Sequence, residues 1–447
     1  MTPNASRKGR PPATDSADTR RAILAAARGC FGRQGYDKTT NKDIAASAGI
    51  TQAAIYHYFP SKAHVFVAAY RDMQSMTFDR FEAVAEAAPG LPARIKAVLD
   101  LAAEMHTADP TLAAFTAVAP IEIQRHAELR RALGDEANRV YRFFEQLVEE
   151  ADGALEGDVD PDSVVNLLVA VSIGFAQFGA TARAAEAHRR AIDAFGRLVD
   201  RTLFDIGAID EDDDGRLAVR GRSRRFAAVR PSATDVGDAR ERILAAARAC
   251  FGRQGYDKTT NKDIAGAAGF TAGAIYRHFP SKQDLFIAVY RGVQSIVFSH
   301  FEAAITDEAT APQKIKTILD LSVDLHAADR SLATFTAIAP IEIQRHPEIR
   351  RELGTDPVAF YRFFQRIIRQ SADDLAADVD ADSVADLLVA VATGFSQFGA
   401  VTRSARPHRE AIGAFKRLID GTLFAPRVRN AHGRRLPARR PTGAAAG

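Results

Sequence analysis

CFGRQGYDKTTNKDIA, residues Cys30–Ala45, returns without a change at Cys250–Ala265. The same offset of 220 residues carries Pro120–His126 (PIEIQRH) onto Pro340–His346, Gln177–Ala180 onto Gln397–Ala400, and Thr202–Phe204 onto Thr422–Phe424. Even Arg10-Pro11 lands on Arg230-Pro231, and no insertion separates the copies between these anchors. So long a period is not that of a solenoid, and it points to duplication of a whole domain. The length of 447 residues agrees, because one hydrophobic core seldom serves so long a chain.

Within the repeated stretch one helix ends and another begins. From Thr19 to Gln34 the apolar residues Ile23, Leu24, Ala27, Cys30 and Phe31 recur at helical spacing, and Gly35 stops the helix. Cys30 therefore belongs to the buried face as a packed, unreactive thiol. Thr40 can cap a second, short helix while Asp43 reaches back to complete a capping box. Ile44, Ala45 and Ala48 form its apolar face, and Gly49-Ile50 make the turn. Thr51 caps the next helix, Gln52–Phe59. Pro60 and Ser61 then break and restart the chain into a long fourth helix through the eighties. Two short helices around a glycine turn make a helix-turn-helix. Further helices are expected near Leu91–Thr107, Pro110–His126, Glu128–Ala151, Asp162–Arg183 and Glu186–Phe204. The fold class is all-α, in two tandem repeats.

Charge and cysteine content narrow the class. Net charge is only +3, but acidic residues collect at Asp210–Asp214 and basic ones at Arg7–Arg10, Arg220–Arg225 and Arg434–Arg440. Such short basic clusters suit phosphate. Two cysteines, Cys30 and Cys250, are too few for a disulfide framework and fit a reducing cytoplasm. The basic amino terminus has no apolar segment behind it, so it does not read as a signal peptide. No apolar run reads as long and uninterrupted enough to cross a membrane. The expectation is a soluble cytoplasmic protein with no membrane partner.

Thr39-Thr40, Ile44-Ala45, Ala48-Gly49-Ile50-Thr51, Ile55-Tyr56, Tyr58-Phe59 and Lys62 stand at the spacing of a known signature. The stretch resembles the amino-terminal signature of the tetracycline-repressor (TetR) family, and Thr259–Lys282 resembles it again. The resemblance implies sequence-specific transcription regulation on double-stranded DNA, with two half-sites in the operator. Thr40, Thr51, Thr260 and Thr271 sit at helix amino termini, which suit a phosphate. Tyr56 and Lys62, with Tyr276 and Lys282, resemble the family's phosphate-contacting tyrosine and lysine. Gln52, Ala53 and His57, with Ala272, Gly273 and Arg277, stand where a recognition helix reads base edges. The arm Arg7–Pro11 could reach a minor groove.

The resemblance also divides each copy. It implies a basic arm over 1–18, a DNA-binding domain over 19–66 and a regulatory domain over 67–204. After a linker over 205–238 come a second DNA-binding domain, 239–286, a second regulatory domain, 287–424, and a disordered basic tail, 425–447. Within the regulatory domains it implies a pocket for a small apolar or amphipathic effector. Candidate lining residues are Met73, Phe78, His106, Phe115, Glu122, His126 and Phe143, then Phe298, His326, Phe335, Glu342, His346 and Phe363. Glu122 and His126 share a helix face and His106 is a third candidate, but no full ligand set stands at metal-site spacing, so no metal and no cofactor are expected. The last two helices of each repeat would meet in a four-helix interface, Ala170 and Gly174 permitting close approach. That interface forms either within one chain, as a pseudo-dimer, or between chains of a homodimer. Competing readings are an architectural DNA-binding protein without an effector, and an enzyme. Against the enzyme, the chain carries no nucleophile elbow, P-loop, dinucleotide fingerprint or HExxH motif.

Overall fold

Helices form where the apolar periodicity runs and stop where capping chemistry stands. The computed structural model describes residues 16–151, 153–181, 185–208, 235–307, 309–355, 358–402 and 405–425. The expected arm, most of the linker and the tail, with the basic clusters and the Asp210–Asp214 run, lie outside them. The first repeat begins with a head of α1 (Ser16–Lys38), α2 (Asn41–Ala48) and α3 (Gln52–Tyr58). The body follows: α4 (Lys62–Ala87), α5 (Gly90–Ala108), α6 (Pro110–Arg125), α7 (Ala127–Leu133), α8 (Arg139–Glu149), α9 (Pro161–Thr181) and α10 (Ala185–Val199). The second repeats it as α11 (Asp235–Lys258), α12 (Asn261–Ala268), α13 (Ala272–His278), α14 (Lys282–Ala304), α15 (Ala311–Ala328), α16 (Arg330–Arg345), α17 (Pro347–Leu353), α18 (Ala359–Gln370), α19 (Ala381–Val401) and α20 (Ala405–Ile419). Extended pairing among the described residues is confined to two isolated bridges, Leu155 with Phe424 and Phe204 with Leu375. Each joins one repeat to the other.

Two expectations change. The helix expected over Glu128–Ala151 is broken at Gly134, whose φ of 49° ends α7, and a 3₁₀ turn over Gly134–Asn138 leads into α8. The boundary drawn between residues 66 and 67 falls inside α4, which runs unbroken from head to body. Head and body also share one core: Ile23, Phe31, Ile44 and Ile55 pack in the same cluster as Leu101, Leu112 and Phe115. Burying such a side chain stabilises by roughly 1.5–3 kcal/mol, so the head is held against α6 by apolar area as well as by the chain.

The two bodies meet through α9, α10, α19 and α20. α9 packs on both α19 and α20, and α10 on α19. At the crossing of α9 and α19 the backbones approach so closely that a Cβ on Gly174 would stand 2.3 Å from the carbonyl oxygen of Ala390 and 3.0 Å from Cα of Gly394. A Cβ on Gly394 would stand 2.2 Å from the carbonyl oxygen of Ala170. No side chain larger than hydrogen fits, and the apolar faces of both helices join a single core cluster that spans both repeats. The same two helices correct the expectation that no apolar run is long enough to cross a membrane. Pro161–Ala180 and Ala381–Val401, with mean hydropathy of 1.7 and 1.5, are long and apolar enough to span a bilayer by length and composition. In the structure 67% of each is buried, where α9 and α19 pack on each other and on neighbouring helices.

Candidate nucleic-acid interface

The head is built by local chemistry. The Thr40 hydroxyl accepts from the amide of Asp43 at 3.2 Å, and the Asp43 carboxylate accepts from the Thr40 amide at 2.9 Å, completing the capping box. Gly49, at φ 68°, adopts the left-handed conformation that turns α2 into α3. Thr51 caps α3 by accepting from the Ala54 amide at 3.2 Å. Ile55 and Phe59 are buried under α3, which fixes its outward face. Thr51, Gln52, Ala53, Tyr56 and His57 are exposed there. Tyr56 is 52% exposed, and Tyr276 on α13 is 57% exposed; an aromatic ring of that size left in water at the same place in both heads is a ready contact surface. On α13, Thr271, Gly273 and Arg277 are exposed and Ala272 is half-buried. Cys30 and Cys250 are buried, and burial pushes both thiols up, which keeps them unreactive.

Two of the expected phosphate contacts sit otherwise. The Thr40 hydroxyl donates to the Asp43 carboxylate at 2.7 Å, as Thr260 does to Asp263. Its proton is thus committed, and a carboxylate stands beside it. Lys62 turns inward: its ammonium donates to the carbonyl oxygens of Tyr36 at 2.7 Å and Asp37 at 3.3 Å, and lies 4.3 Å from the centre of the Tyr36 ring. Lys282 repeats this with Tyr256 and Asp257. Lys62 and Lys282 thus close the carboxy ends of α1 and α11, past the kinks at Gly35 and Gly255, where a cation meets free carbonyls.

The same helix end carries a feature that sequence reading missed. Asp37 receives Lys258 of the second repeat at 2.9 Å, and Lys38 meets Asp257 at 2.9 Å. Below them the buried Glu122 meets Arg345 at 3.0 Å, and the buried Glu342 meets Arg125 at 3.4 Å. His126 lies against Asp37 at 3.0 Å, and His346 against Asp257 at 3.3 Å. Gly35, at φ 77°, makes room for this crossing: a Cβ there would stand 2.7 Å from the Arg345 guanidinium and 2.8 Å from a Glu122 oxygen. Glu122, His126, Glu342 and His346, expected around an effector pocket, are therefore parts of an ionic cluster between the repeats.

Asp37, Glu122 and His126 each offer a donor atom within 4.8 Å of one another, as do Asp257, Glu342 and His346. Asp37 is the third candidate ligand that spacing alone did not supply. The place a metal ion would take is held by protein cations, since Lys258 also reaches His126 Nε2 at 3.1 Å and Arg345 engages Glu122. His106 stands apart from the cluster, its ring stacked on His188 at 6.0 Å.

The remaining pocket candidates divide by repeat. Met73, Phe78, Phe115 and Phe143 are buried core side chains, with Phe78 and Phe143 in ring contact at 5.4 Å. In the second repeat Phe298, His326 and Phe335 line a cavity of about 520 Å³ enclosed by α14, α15, α16, α18 and α19. Gln177, Phe178, Ala187 and Arg190 of the first repeat form one of its walls. Phe363 packs behind Phe298, with ring centres 5.1 Å apart.

Residues 23–69 and 243–289 match the family model described as "Bacterial regulatory proteins, tetR family". The chain is similar to the HTH-type transcriptional repressor BepR of Brucella suis, 29% identical over 181 residues that cover 37% of this chain and 83% of that protein. It is similar to the HTH-type transcriptional repressor Rv1474c of Mycobacterium tuberculosis, 46% identical over 52 residues, 12% of this chain and 28% of that one. Among solved structures it is similar to the fatty acid degradation regulator FadR of Bacillus halodurans, at 17% identity and a TM-score of 0.36, covering 43% of this chain and 96% of that one.

Proposed function

As a member of the TetR family that carries two tandem copies of its amino-terminal domain, this chain is a DNA-binding regulator, and we propose that it works as a single-chain pseudo-dimer, repressing transcription until a small molecule releases it from its operator. The observation that carries the pseudo-dimer is the reciprocal crossing of the heads, Lys38 on Asp257 and Lys258 on Asp37. A symmetric pair of contacts of this kind is the mark of a self-complementary interface, and here both halves belong to one chain. Tethering raises the effective concentration of one repeat near the other to roughly millimolar, which favours pairing within the chain over pairing between chains.

Each head would then present one recognition helix to one half-site. Thr51, Tyr56 and their counterparts Thr271 and Tyr276 would meet phosphates, while Gln52, Ala53, His57, Ala272, Gly273 and Arg277 would face base edges. The cavity in the second repeat supports ligand control, since pockets of about 300–1,000 Å³ with apolar walls suit small molecules and this one stands among the helices that carry the head. The relatives' names as repressors support the direction of control. Light scattering at micromolar protein, combined with titration of operator DNA, tests the assembly. The expected result is the mass of one chain, and one chain bound per two-half-site operator. A species of two chains with four heads, and no other, would rule it out.

A further inference from the structure

The two repeats differ at the cavity in a way that bears on how many effectors one chain holds and of what kind. Inside the second repeat Thr336 and His326 are among the residues that line the cavity, and the Thr336 hydroxyl is buried without a hydrogen-bond partner. Nδ1 of His326 is unpartnered too, but so is Nδ1 of its counterpart His106, so only the hydroxyl tells the repeats apart. Leaving a buried polar atom unpaired costs roughly 1–3 kcal/mol, so the Thr336 hydroxyl, left open on a cavity-lining residue, is placed for a guest. Burial lowers His326 to about 3, which leaves a neutral imidazole at ordinary pH. Two of the three charged residues on the cavity wall cancel: Arg190 donates to Asp386 at 2.7 Å and 3.0 Å. The third, Arg350, is exposed at the rim. The interior thus offers apolar walls, hydrogen-bonding atoms and no net charge.

In the first repeat the hydroxyl that corresponds to Thr336 finds its partner within the chain. Met73 stands where the second repeat has Val293, and Thr116 where it has Thr336. The Thr116 hydroxyl donates to the Met73 sulfur at 3.3 Å. The longer, flexible thioether satisfies the hydroxyl and takes more space than the valine it corresponds to. Ile173 and Ala176 further replace Thr393 and Ser396, while Ser172 replaces Ala392, a net loss of one hydroxyl from that wall.

We infer that one chain binds one effector, in the second repeat alone, and that this effector is a neutral, mainly apolar molecule whose alcohol or carbonyl oxygen meets Thr336. The inference rests on the ligand-responsive reading above and specifies its site. It separates sensing from symmetry: one occupied body would act on both heads, because the cavity's far wall is built from α9 and α10 of the other repeat.

Titration of the full chain with Nile red, a neutral apolar dye carrying a carbonyl, tests this by fluorescence. The expected stoichiometry is one dye per chain. Val293→Met should weaken binding at least tenfold, and Thr336→Val about tenfold, the loss of one hydrogen bond. Met73→Val should raise the stoichiometry to two. Two dyes per unaltered chain, or full-strength binding to Val293→Met and Thr336→Val together, would overturn the inference. Operator binding on the same samples separates it from ligand control in general. Small-molecule release that persists undiminished in Val293→Met overturns this site and leaves ligand control standing. One dye per chain, with operator affinity unmoved by any occupant of the cavity, leaves the site assigned and counts against ligand control.

Discussion

Lys62 shows how one side chain can be placed by its helix rather than by its charge. The sequence offers a lysine at the start of a helix that follows the recognition helix, and a phosphate is the natural partner for such a cation. In the structure its ammonium caps the carbonyl end of α1 and covers the Tyr36 ring, and burial holds it below the usual lysine range. Hydrogen bonds with one charged partner are worth roughly 1.5–3 kcal/mol. Lys62→Met should therefore lower the unfolding free energy by about that much, seen as a lower denaturant midpoint. The slope of log affinity against log salt should stay where it is, because a true phosphate contact would remove about 0.9 from it. A fall of that size in the slope, with stability unchanged, would return Lys62 to the DNA.

At the scale of elements, what could be read in advance was what forms locally. The capping box of Thr40 and Asp43, the glycine turn at Gly49 and the apolar stripe of α1 involve residues no more than a few positions apart. Gly174 was legible as a point of close approach, since a glycine inside an apolar helix needs a reason. The break at Gly134 was not, because the apolar spacing continues through it and only the backbone angle reveals the stop. Nor was the ionic cluster, whose partners Arg125 and Glu342 stand 217 positions apart. A signal was nevertheless present. Asp37, Lys38, Glu122, Arg125 and His126 all fall within stretches repeated unchanged, and a contact made reciprocally between copies needs the same residues in both.

That cluster has a pH dependence of known sign. Burial would raise the Asp257 carboxyl, but hydrogen bonds from His346 and Lys38 hold it at about 2, below its ordinary 3.8. A depressed carboxyl stabilises the folded state above its unfolded pKa, and the benefit is lost as pH falls through the folded value. Acidification from about 4 to about 2 should therefore loosen the crossing of α1 and α11. Across that window the unaltered protein should lose more stability to denaturant than Asp257→Asn, whose amide does not titrate. Parallel curves for the two proteins would show that the crossing contributes nothing.

For the molecule as a whole, joining two heads in one chain lets them diverge, which identical subunits cannot do. Four positions of the recognition helices agree: the buried Ile55 with Ile275 and Phe59 with Phe279, and the exposed Thr51 with Thr271 and Tyr56 with Tyr276. The positions placed to read base edges differ: Gln52 becomes Ala272, Ala53 becomes Gly273 and His57 becomes Arg277, and the half-buried Tyr58 becomes His278. Gln52 can bond both edge atoms of an adenine, which Ala272 cannot. Arg277 can meet O6 and N7 of a guanine with two donors, a pairing worth roughly 1–3 kcal/mol of discrimination, where His57 offers a single contact. Selection of binding sites from random DNA by the purified protein should therefore enrich two unlike half-sites. The double exchange Gln52→Ala with His57→Arg should change preference in one half alone, leaving the other as it was. Enrichment of a perfect inverted palindrome, bound equally by the exchanged protein, would show that the outward differences carry no recognition and that the duplication has kept the two heads equivalent at the DNA.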